Sequence, residues 1–415
     1  MNVCNGVHRM STLPLEGIRV IELSHMVMGP ACGMVLADLG AEVIKVEPVR
    51  GDGTRHLPGA GAGFFRIFNR NKKSLAVDLD SEAGREALLA LVDTADVFIE
   101  NFKPGRMGQL GLDHDTLRAR NAELIYVSHK GFLKGPYEKR LALDEVVQMM
   151  GGLAYMTGPV GQPLRAGSSV NDIMGGMFGA IGVLAALHER SRTGRGKEIH
   201  SALFENCVLL SAQHMQQYAV TGHAPAPMPS RISAWSIYDV FSFAGGEQMF
   251  VAATGDGQWS ALCKVLGQEA LLGDPSLASN TARVEQRPRL LAHLAEVFAT
   301  LDAKALAVEL ERNGIPFAAI RRPEELFDDP HLKASGGLAP LQLDDGAQTV
   351  VPLLPLSFDG GRFGPRLPLA RVGEHTAEVL QGLGYDAARI EQLRAAGLCR
   401  MADKRDAPQN LSVPR

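Results

Sequence analysis

The chain reads GIRVIEL at residues 17–23 and AEVIKVE at residues 41–47, two runs rich in the β-branched residues that strands favour. Between them, residues 29–40 carry an apolar pattern with helical spacing, and the glycine at its end is a usual helix stop signal. A strand, a helix and a second strand in this order predict a parallel, right-handed βαβ unit. The sequence therefore belongs to the α/β class.

Dinucleotide binding is the first function to consider for such a unit, because Glu47 ends the second strand where a ribose-binding acid would stand. The first turn, however, reads SHMVMGP at residues 24–30. It lacks the three glycines that let a pyrophosphate approach the backbone. The sequence therefore does not predict an NAD site.

Strands and helices continue to alternate after this unit. We expect strands at residues 75–79, 96–100 and 124–128 and a helix at residues 82–92. Two loops of this segment, residues 69–74 and 101–106, combine side-chain amides with basic residues. At the carboxyl ends of parallel strands, such loops suit the phosphate groups of an anionic ligand.

The composition changes at residues 221–230, which hold three prolines and read as a linker. Beyond it, a hairpin pattern at residues 237–254 and three helical patterns predict an α+β domain at residues 225–330. Residues 331–415 include a last amphipathic helix and are expected to rejoin residues 1–224. The large domain would then contain both ends of the chain.

The stretch LRAGSSVNDIMGGMFGA at residues 164–180 leads from a turn-rich segment into a helix that is predicted to run to about His188. Gly175 and Gly179 lie one turn apart, so their shared face can approach a neighbouring backbone closely. Asp172 stands where the helix begins. On spacing alone, the favoured interpretation is an N-cap that bonds the free N–H groups of the first turn. The alternative is a carboxylate nucleophile at the helix entrance.

Charge and composition exclude several classes of protein. The 42 basic and 46 acidic residues give a net charge of −4, which argues against a general nucleic-acid or anionic-membrane binder. The five cysteines are scattered without a C-x-x-C pair, so neither a disulfide framework nor a metal site is predicted. Without a signal-peptide pattern or an uninterrupted apolar run of about 18 residues, we expect a cytoplasmic protein that does not enter a membrane.

A set of short segments follows one another from about Pro14 to Gly397. It comprises PLEGIRVIEL at residues 14–23, GP at 29–30, LGAEVIKVE at 39–47, NKKS at 71–74, ENFKPG at 100–105, GPY at 135–137, Asp172 with Gly176, TGRG at 193–196 and GEHT at 373–376. In order and spacing this set resembles the family III CoA-transferases, also called the CaiB/BaiF family. The resemblance covers nearly the whole chain.

The resemblance implies a large Rossmann-like domain built from both chain ends, a smaller inserted domain and two interlinked subunits in a homodimer. It places the family's catalytic aspartate on Asp172, which reverses the preference for a cap. It further implies an acyl-CoA thioester and a free carboxylic acid as substrates, with no permanently bound cofactor and no metal. The implied CoA contacts are Val27, Met28, Asn71, Lys72, Asn101, Phe102, Lys103, Arg106, Arg140 and Asp144.

In the implied mechanism, the aspartate attacks the acyl thioester to form a mixed anhydride and then an aspartyl-CoA thioester, and the acceptor acid reverses the sequence. A helix N-terminus is expected to favour the ionised form of this aspartate. Succinyl-CoA is the donor that the family suggests.

The chain departs from the family at several positions. Many relatives carry basic residues where this chain has Gln109 and Leu141, and Arg106 and Arg140 are close enough in sequence to replace them. Formyl-CoA transferases have a glutamine where this chain has Val27. Oxalate and formate are therefore not the expected substrates.

Three other functions are compatible with this fold. Racemases related to the family place a histidine base where this chain has Leu143, and leucine cannot accept a proton. An isomerase that transfers CoA within one molecule would use the same aspartate and stays open. So does a non-catalytic acyl-CoA-binding protein, which would not need Asp172.

Overall fold

The computed structural model describes residues 13–231 and 233–402. The chain forms two compact units, which divide between Ala224 and Pro225 and again between Asp329 and Pro330. The first unit therefore contains residues that precede the second unit in the chain and residues that follow it.

A seven-stranded sheet forms the centre of the first unit. Its strands are β1 (Arg19–Leu23), β2 (Glu42–Glu47), β3 (Lys72–Val77), β4 (Val97–Glu100), β5 (Ile125–Lys130), β6 (Glu198–Ala202) and β12 (Cys399–Arg400). Their order is β12-β3-β2-β1-β4-β5-β6, with β1 to β6 parallel and β12 antiparallel to β3. The order 3-2-1-4-5-6 is that of the doubly wound nucleotide-binding fold. The predicted α/β class is confirmed.

Helices cover both faces of this sheet. The helices of the first unit are α1 (Met28–Asp38), α2 (Phe64–Phe68), α3 (Glu82–Val92), α4 (Arg106–Leu110), α5 (His114–Arg120), α6 (Asp144–Met150), α7 (Leu153–Thr157), α8 (Val170–Thr193), α9 (Leu203–Thr221), α14 (Pro330–Ala334), α15 (Thr376–Gly382) and α16 (Ala387–Ala395). Side chains alternate along each strand. Val97 and Ile99 therefore join the core beneath α1 and α8, whereas Phe98 joins the core beneath α3, α15 and α16.

The second unit has its own core around a three-stranded antiparallel sheet. Its elements are β7 (Ile237–Ser242), β8 (Gln248–Ala253), α10 (Asp256–Val265), α11 (Asn280–Glu285), α12 (Arg287–Phe298), α13 (Ala303–Arg312) and β9 (Phe317–Ala319). The predicted hairpin at residues 237–254 is confirmed as β7 and β8. A separate antiparallel hairpin, β10 (Leu338–Gln342) with β11 (Gln348–Pro352), belongs to the first unit.

The GEHT segment at residues 373–376 fastens the C-terminal part of the chain to β3. The Thr376 hydroxyl accepts a hydrogen bond from the backbone N–H of Ala76 at 3.0 Å, and the N–H of Gly373 donates to the Ser74 hydroxyl at 2.8 Å. These bonds satisfy polar groups of β3 beside the short strand β12. The GEHT segment therefore has a structural role, because it docks the C-terminal part of the chain onto the sheet.

One described helix, α8, is long and apolar enough to span a membrane if length and composition alone are considered. In this fold it packs along α1 and against β5 and β6. Seven of its residues are buried within the unit, including Gly175, Gly179 and Val183. The burial of this face is that of a core helix.

Candidate active site

A cleft of about 980 Å³ opens at the carboxyl ends of β1, β2 and β3. Its walls include Leu23 at the end of β1, Glu47 at the end of β2 and Val77 at the end of β3. Phe102 and Arg106, which follow β4, form a further wall. The strand order reverses between β1 and β4, and the crevice left by such a reversal is where doubly wound folds bind ligands.

Three arginines line the cleft: Arg50 after β2, Arg106 at the start of α4 and Arg400 in β12. Arg106 forms an ion pair with Asp80 at 2.6 Å, and both side chains are partly exposed. An exposed pair of this kind contributes little to stability and exchanges its partner readily. Guanidinium groups bind phosphate through paired hydrogen bonds, so the cleft suits a phosphorylated ligand.

Polar contacts from Lys45 of β2 and from Asn101, which follows β4, fix the loop that lines one side of the cleft. The Lys45 ammonium lies 2.7 Å from the Ser24 carbonyl oxygen and 3.0 Å from the Asp52 carboxylate. The Asn101 side chain accepts from the N–H of His25 at 3.0 Å and donates to its carbonyl at 2.7 Å. The loop between β1 and α1 is therefore held from two sides. Asn101 acts on it directly, although its side chain was predicted to contact the ligand.

The glycines of α8 bring this helix into direct contact with α1. A Cβ atom at Gly176 would lie 2.7 Å from the Met28 carbonyl oxygen and 2.9 Å from the Cys32 backbone nitrogen. A Cβ atom at Gly175 would lie 2.2 Å from Met28 Cε. Only glycine permits this approach. The spacing of Gly175 and Gly179 predicted an approach to a neighbouring backbone, but these two glycines face side-chain atoms, and the backbone of α1 is approached at Gly176.

Asp172 is the third residue of α8, and its side chain is half-buried. The N-cap is Ser169, which makes no side-chain capping bond. The cap comes instead from another helix: the Asp144 carboxylate accepts the N–H groups of Asn171 at 2.8 Å and Asp172 at 3.1 Å. The interpretation of Asp172 as the cap is therefore wrong. The Asp172 carboxyl group is therefore not needed to cap α8.

The surroundings of Asp172 raise the pKa of its carboxyl group to about 7. Burial is the largest cause, and the nearby charges of Asp144 and Glu145 add to it, while Arg165 acts in the opposite direction. We had expected the helix N-terminus to favour the ionised form. Burial and two acidic neighbours outweigh it.

The first turn of α1 lies between the cleft and the N-terminal part of α8. Met26 lines the cleft, and Met28, two residues further on, contacts α8 at Gly175. Val27 and Met28 were predicted as ligand contacts, but both side chains are buried in apolar clusters. Neither residue lines the cleft.

The structure places Asn71 and Lys72 away from the cleft. Both lie where β3 begins, so the expectation that their loop sits at the carboxyl edge of the sheet is wrong. The Lys72 ammonium is buried, 2.5 Å from the Glu22 carboxylate and 2.9 Å from the Pro30 carbonyl oxygen. The Asn71 side chain donates hydrogen bonds to the Asp38 carboxylate and the Gly364 carbonyl oxygen, and it accepts one from the backbone N–H of Arg366. These contacts stabilise the fold, and the placement gives a ligand role no support.

The other predicted contacts are spread over the surface and the interior. Phe102 and Arg106 lie in the cleft, as the position of their loop after β4 indicated. Lys103 is exposed on the same loop, and Arg140 is exposed with its guanidinium 5.0 Å from the centre of the Tyr137 ring. Asp144 is buried, and its carboxylate accepts a hydrogen bond from the backbone N–H of Asp172.

Sequence reasoning missed the loop at residues 48–57, which supplies much of the cleft lining. Its position directly after β2 was the available signal, because ligands of this fold bind beyond the carboxyl ends of the strands. In residues 13–231 and 233–402, no three His, Cys, Asp or Glu side chains form a group that could hold a metal ion.

Comparisons with known proteins agree with this architecture. The model of CoA-transferase family III matches residues 15–376. A succinate–glutarate CoA-transferase of Agrobacterium fabrum is 36% identical over 385 residues, which cover 89% of this chain and 96% of the relative. A succinyl-CoA:mesaconate CoA-transferase of Haloarcula hispanica is 34% identical over 396 residues, which cover 91% and 98%.

A solved structure shows the same fold. The crystal structure of a CaiB/BaiF family protein from Brucella suis superposes with a TM-score of 0.81 at 34% identity, over 89% of this chain and 99% of that one. The strand order, the family match and the named relatives agree. The chain is a member of CoA-transferase family III and therefore an enzyme whose substrates are CoA thioesters.

Proposed function

We propose that this enzyme moves CoA from an acyl-CoA to a free carboxylic acid through covalent intermediates on Asp172. The Asp172 carboxylate attacks the thioester carbonyl, the C–S bond breaks, and an acyl-aspartyl anhydride and CoA thiolate form. The thiolate attacks the aspartyl carbonyl, which gives an aspartyl-CoA thioester and releases the donor acid. The acceptor carboxylate then repeats both steps in reverse, and Asp172 is regenerated.

The observation that carries this proposal is the position of Asp172 at the start of α8, one turn before Gly175 and Gly176, which contact the first turn of α1. The loop before α1 lines the phosphate-compatible cleft. We infer that the nucleotide part of CoA occupies the cleft between Phe102 and Arg106, and that its pantetheine arm runs along the start of α1 toward Asp172. The buried side chains of Val27 and Met28 leave the backbone of this turn as the contact surface.

The raised pKa of Asp172 suits a nucleophile. A carboxylate that is poorly stabilised by its surroundings gains more by forming a bond, and a pKa of about 7 keeps a large share of it ionised near neutrality. The Asp144 carboxylate holds the backbone of Asp172 in place, so the side chain can react without the helix end moving.

We infer that the donor is succinyl-CoA and that the acceptor is a dicarboxylic acid. The support comes from the two relatives named above, whose names pair succinate with glutarate and succinyl-CoA with mesaconate. The test is a screen of carboxylic acids with succinyl-CoA and acetyl-CoA, read by mass spectrometry of the CoA products. We expect new CoA thioesters of dicarboxylic acids from succinyl-CoA. CoA release without any acyl exchange would contradict the transferase assignment.

The activity should depend on pH through Asp172. Because only its ionised form attacks the thioester, kcat/KM should fall as pH drops through about 7, the pKa of the free enzyme's carboxyl group. The measurement is a pH profile of kcat/KM, with fold integrity checked by circular dichroism at each pH. A profile that stays flat well below pH 7 would contradict the shift.

We further propose that a second copy of this chain covers the apolar face of α8 and α9. On α8, Phe178 and Ile181 are exposed, and on α9 Met215 and Val220 are exposed, with exposed fractions up to 84%. Apolar side chains grouped on adjoining helices are typical of an interface that water does not reach in the assembled protein. α8 also carries Asp172, so the same contact would shield the site.

The oligomeric state is open to a direct measurement. Ile181→Glu should shift the protein from dimer to monomer in light scattering coupled to size exclusion, because a buried charge without a partner opposes association. Val308→Glu is the matched control, since Val308 is a similarly exposed aliphatic residue on α13. A wild-type protein that is monomeric at micromolar concentration would contradict the proposed dimer.

A further inference from the structure

Gln148 is a buried side chain whose amide joins two segments beside Asp172. It lies on α6, one turn after Asp144, and its exposed fraction is 0%. Its Nε2 donates to one oxygen of the Asp144 carboxylate, and its Oε1 accepts the backbone N–H of Ala166 at 2.8 Å. Both ends of the amide are therefore occupied. A buried amide satisfied at both ends fixes the groups that it bonds.

The hydrogen bond from Gln148 to Asp144 affects the acidic neighbours of Asp172. The other oxygen of Asp144 receives the N–H groups of Asn171 and Asp172, so Gln148 completes the set of donors that orients this carboxylate. Glu145 follows Asp144 on the same turn of α6. The positions of both acids relative to Asp172 thus depend on how α6 is held.

The hydrogen bond between Gln148 and the backbone of Ala166 affects Arg165, the basic neighbour of Asp172. Ala166 belongs to the loop that leads into α8, and Arg165 precedes it. Arg165 forms an ion pair with Glu145, and its Nε donates to the Ala166 carbonyl at 3.0 Å. The bond from Ala166 to Gln148 is therefore the buried anchor of a loop whose guanidinium is partly exposed.

We propose that Gln148 is a positioning residue that fixes the charged groups around Asp172. These groups are Asp144 and Glu145 on α6 and Arg165 on the loop before α8. The inference rests on the proposed nucleophilic role of Asp172. It adds a residue that touches neither substrate nor the reacting atoms and that acts through its two hydrogen-bond partners.

The variant that tests this is Gln148→Met, which keeps the length of the side chain and removes both hydrogen bonds. Asp144 would remain on the two N–H groups of α8, whereas the loop would lose its buried anchor and Arg165 its fixed position. The charges of Asp144 and Glu145 would then raise the pKa of Asp172 with less compensation from Arg165. We expect the acidic limb of the kcat/KM profile to move to higher pH by roughly 0.5 and kcat/KM at neutral pH to fall roughly tenfold.

Arg165→Met provides a second route to the same test, because Arg165 is partly exposed and its replacement leaves the core intact. It should move the acidic limb in the same direction, and the double variant should move it no further than the larger single shift. Gln392→Met, at an exposed position on α16, is the matched control and should change nothing.

The outcomes separate this inference from the proposed function. If the wild-type enzyme forms an adduct on Asp172 but Gln148→Met leaves the acidic limb in place, Gln148 has no positioning role, whether or not Arg165→Met moves the limb. A lower kcat without any movement of the limb would likewise reduce Gln148 to a structural residue. If the wild-type enzyme forms no adduct on Asp172, the proposed function fails first. Should Gln148→Met not fold, the shorter Gln148→Asn, which keeps a buried amide but reaches less far toward Ala166, gives the deciding profile.

Discussion

Replacement of Asp172 by asparagine is expected to remove turnover and to make the folded protein more stable above neutral pH. Asparagine keeps the size and the first-turn position of the side chain but cannot attack a thioester. We expect kcat to fall by roughly 10⁴-fold or more, as it does when the nucleophile of a covalent mechanism is removed. The measurement is CoA exchange between succinyl-CoA and an acceptor acid.

The sign of the stability effect follows from the pKa. The folded state raises the pKa of Asp172 from 3.8 to about 7, so it binds more protons than the unfolded chain between these values. Stability is therefore lost as pH rises through this range, and the loss is complete above about 7. Above about pH 7, we expect Asp172→Asn to increase the free energy of unfolding by about 2 kcal/mol, a value that allows for solvent around the half-buried side chain. The loss of a negative charge at the helix N-terminus should offset about 0.5 kcal/mol of this gain.

Thermal unfolding at pH 8 and pH 4, at equal protein concentration, measures this difference. The melting temperature of Asp172→Asn should exceed that of the wild type at pH 8 and match it at pH 4. Asp113 supplies the control, because it caps α5 and a hydrogen bond from the Thr116 backbone lowers its pKa. Asp113→Asn should not raise the melting temperature at either pH. A destabilised Asp172→Asn at pH 8 would contradict the account of its ionisation.

Gly176→Ala is expected to cause the largest loss of stability of any single methyl group added to α8. The new Cβ would lie 2.6 Å from Ala31 Cβ and 2.7 Å from the Met28 carbonyl oxygen. The nearest obstacles include α1 backbone atoms, so the two helices must separate. We expect a loss of about 3 kcal/mol, together with most of the activity, because the first turns of α1 and α8 form the proposed site.

The matched control for this variant is Gly382→Ala. Gly382 is the last residue of α15, and no heavy atom lies within 4 Å of where its Cβ would be. Alanine favours a helix over glycine, so this variant should be neutral or gain up to about 1 kcal/mol. Chemical denaturation of both variants gives the comparison. Equal stabilities would mean that α1 and α8 are not in close contact in solution.

Local patterns in the sequence predicted most of the fold. The alternation of β-branched runs with helical segments identified β1, α1, β2, α3 and β4, and the glycines of α8 predicted a close neighbour, although the approach to backbone atoms is at Gly176. These features are set by residues close together in the chain, where strand and helix periodicities are informative. The loop after β4 was also placed correctly at the cleft, because its strand ended where the pattern indicated.

The errors concern contacts between distant segments. Asp172 had the spacing of a cap, but Asp144 makes the capping bonds from 28 positions earlier in the chain. Lys72 had the composition of a phosphate-binding residue, but β3 begins at this position and the side chain bonds Glu22 in the interior. A one-dimensional pattern gives the residue types of a site. It does not show which partner each side chain will meet in the folded chain.

The most direct test of the central claim is to trap the activated carbonyl group of Asp172. The enzyme is incubated with succinyl-CoA and without an acceptor acid, and hydroxylamine is then added, which cleaves an activated aspartyl carbonyl and leaves a hydroxamate. Peptide mass spectrometry should locate the hydroxamate at Asp172, with loss of activity in proportion to the modified fraction and no modification in Asp172→Asn. A fully active enzyme without modification at Asp172, or a hydroxamate at another carboxylate, would contradict the proposed mechanism.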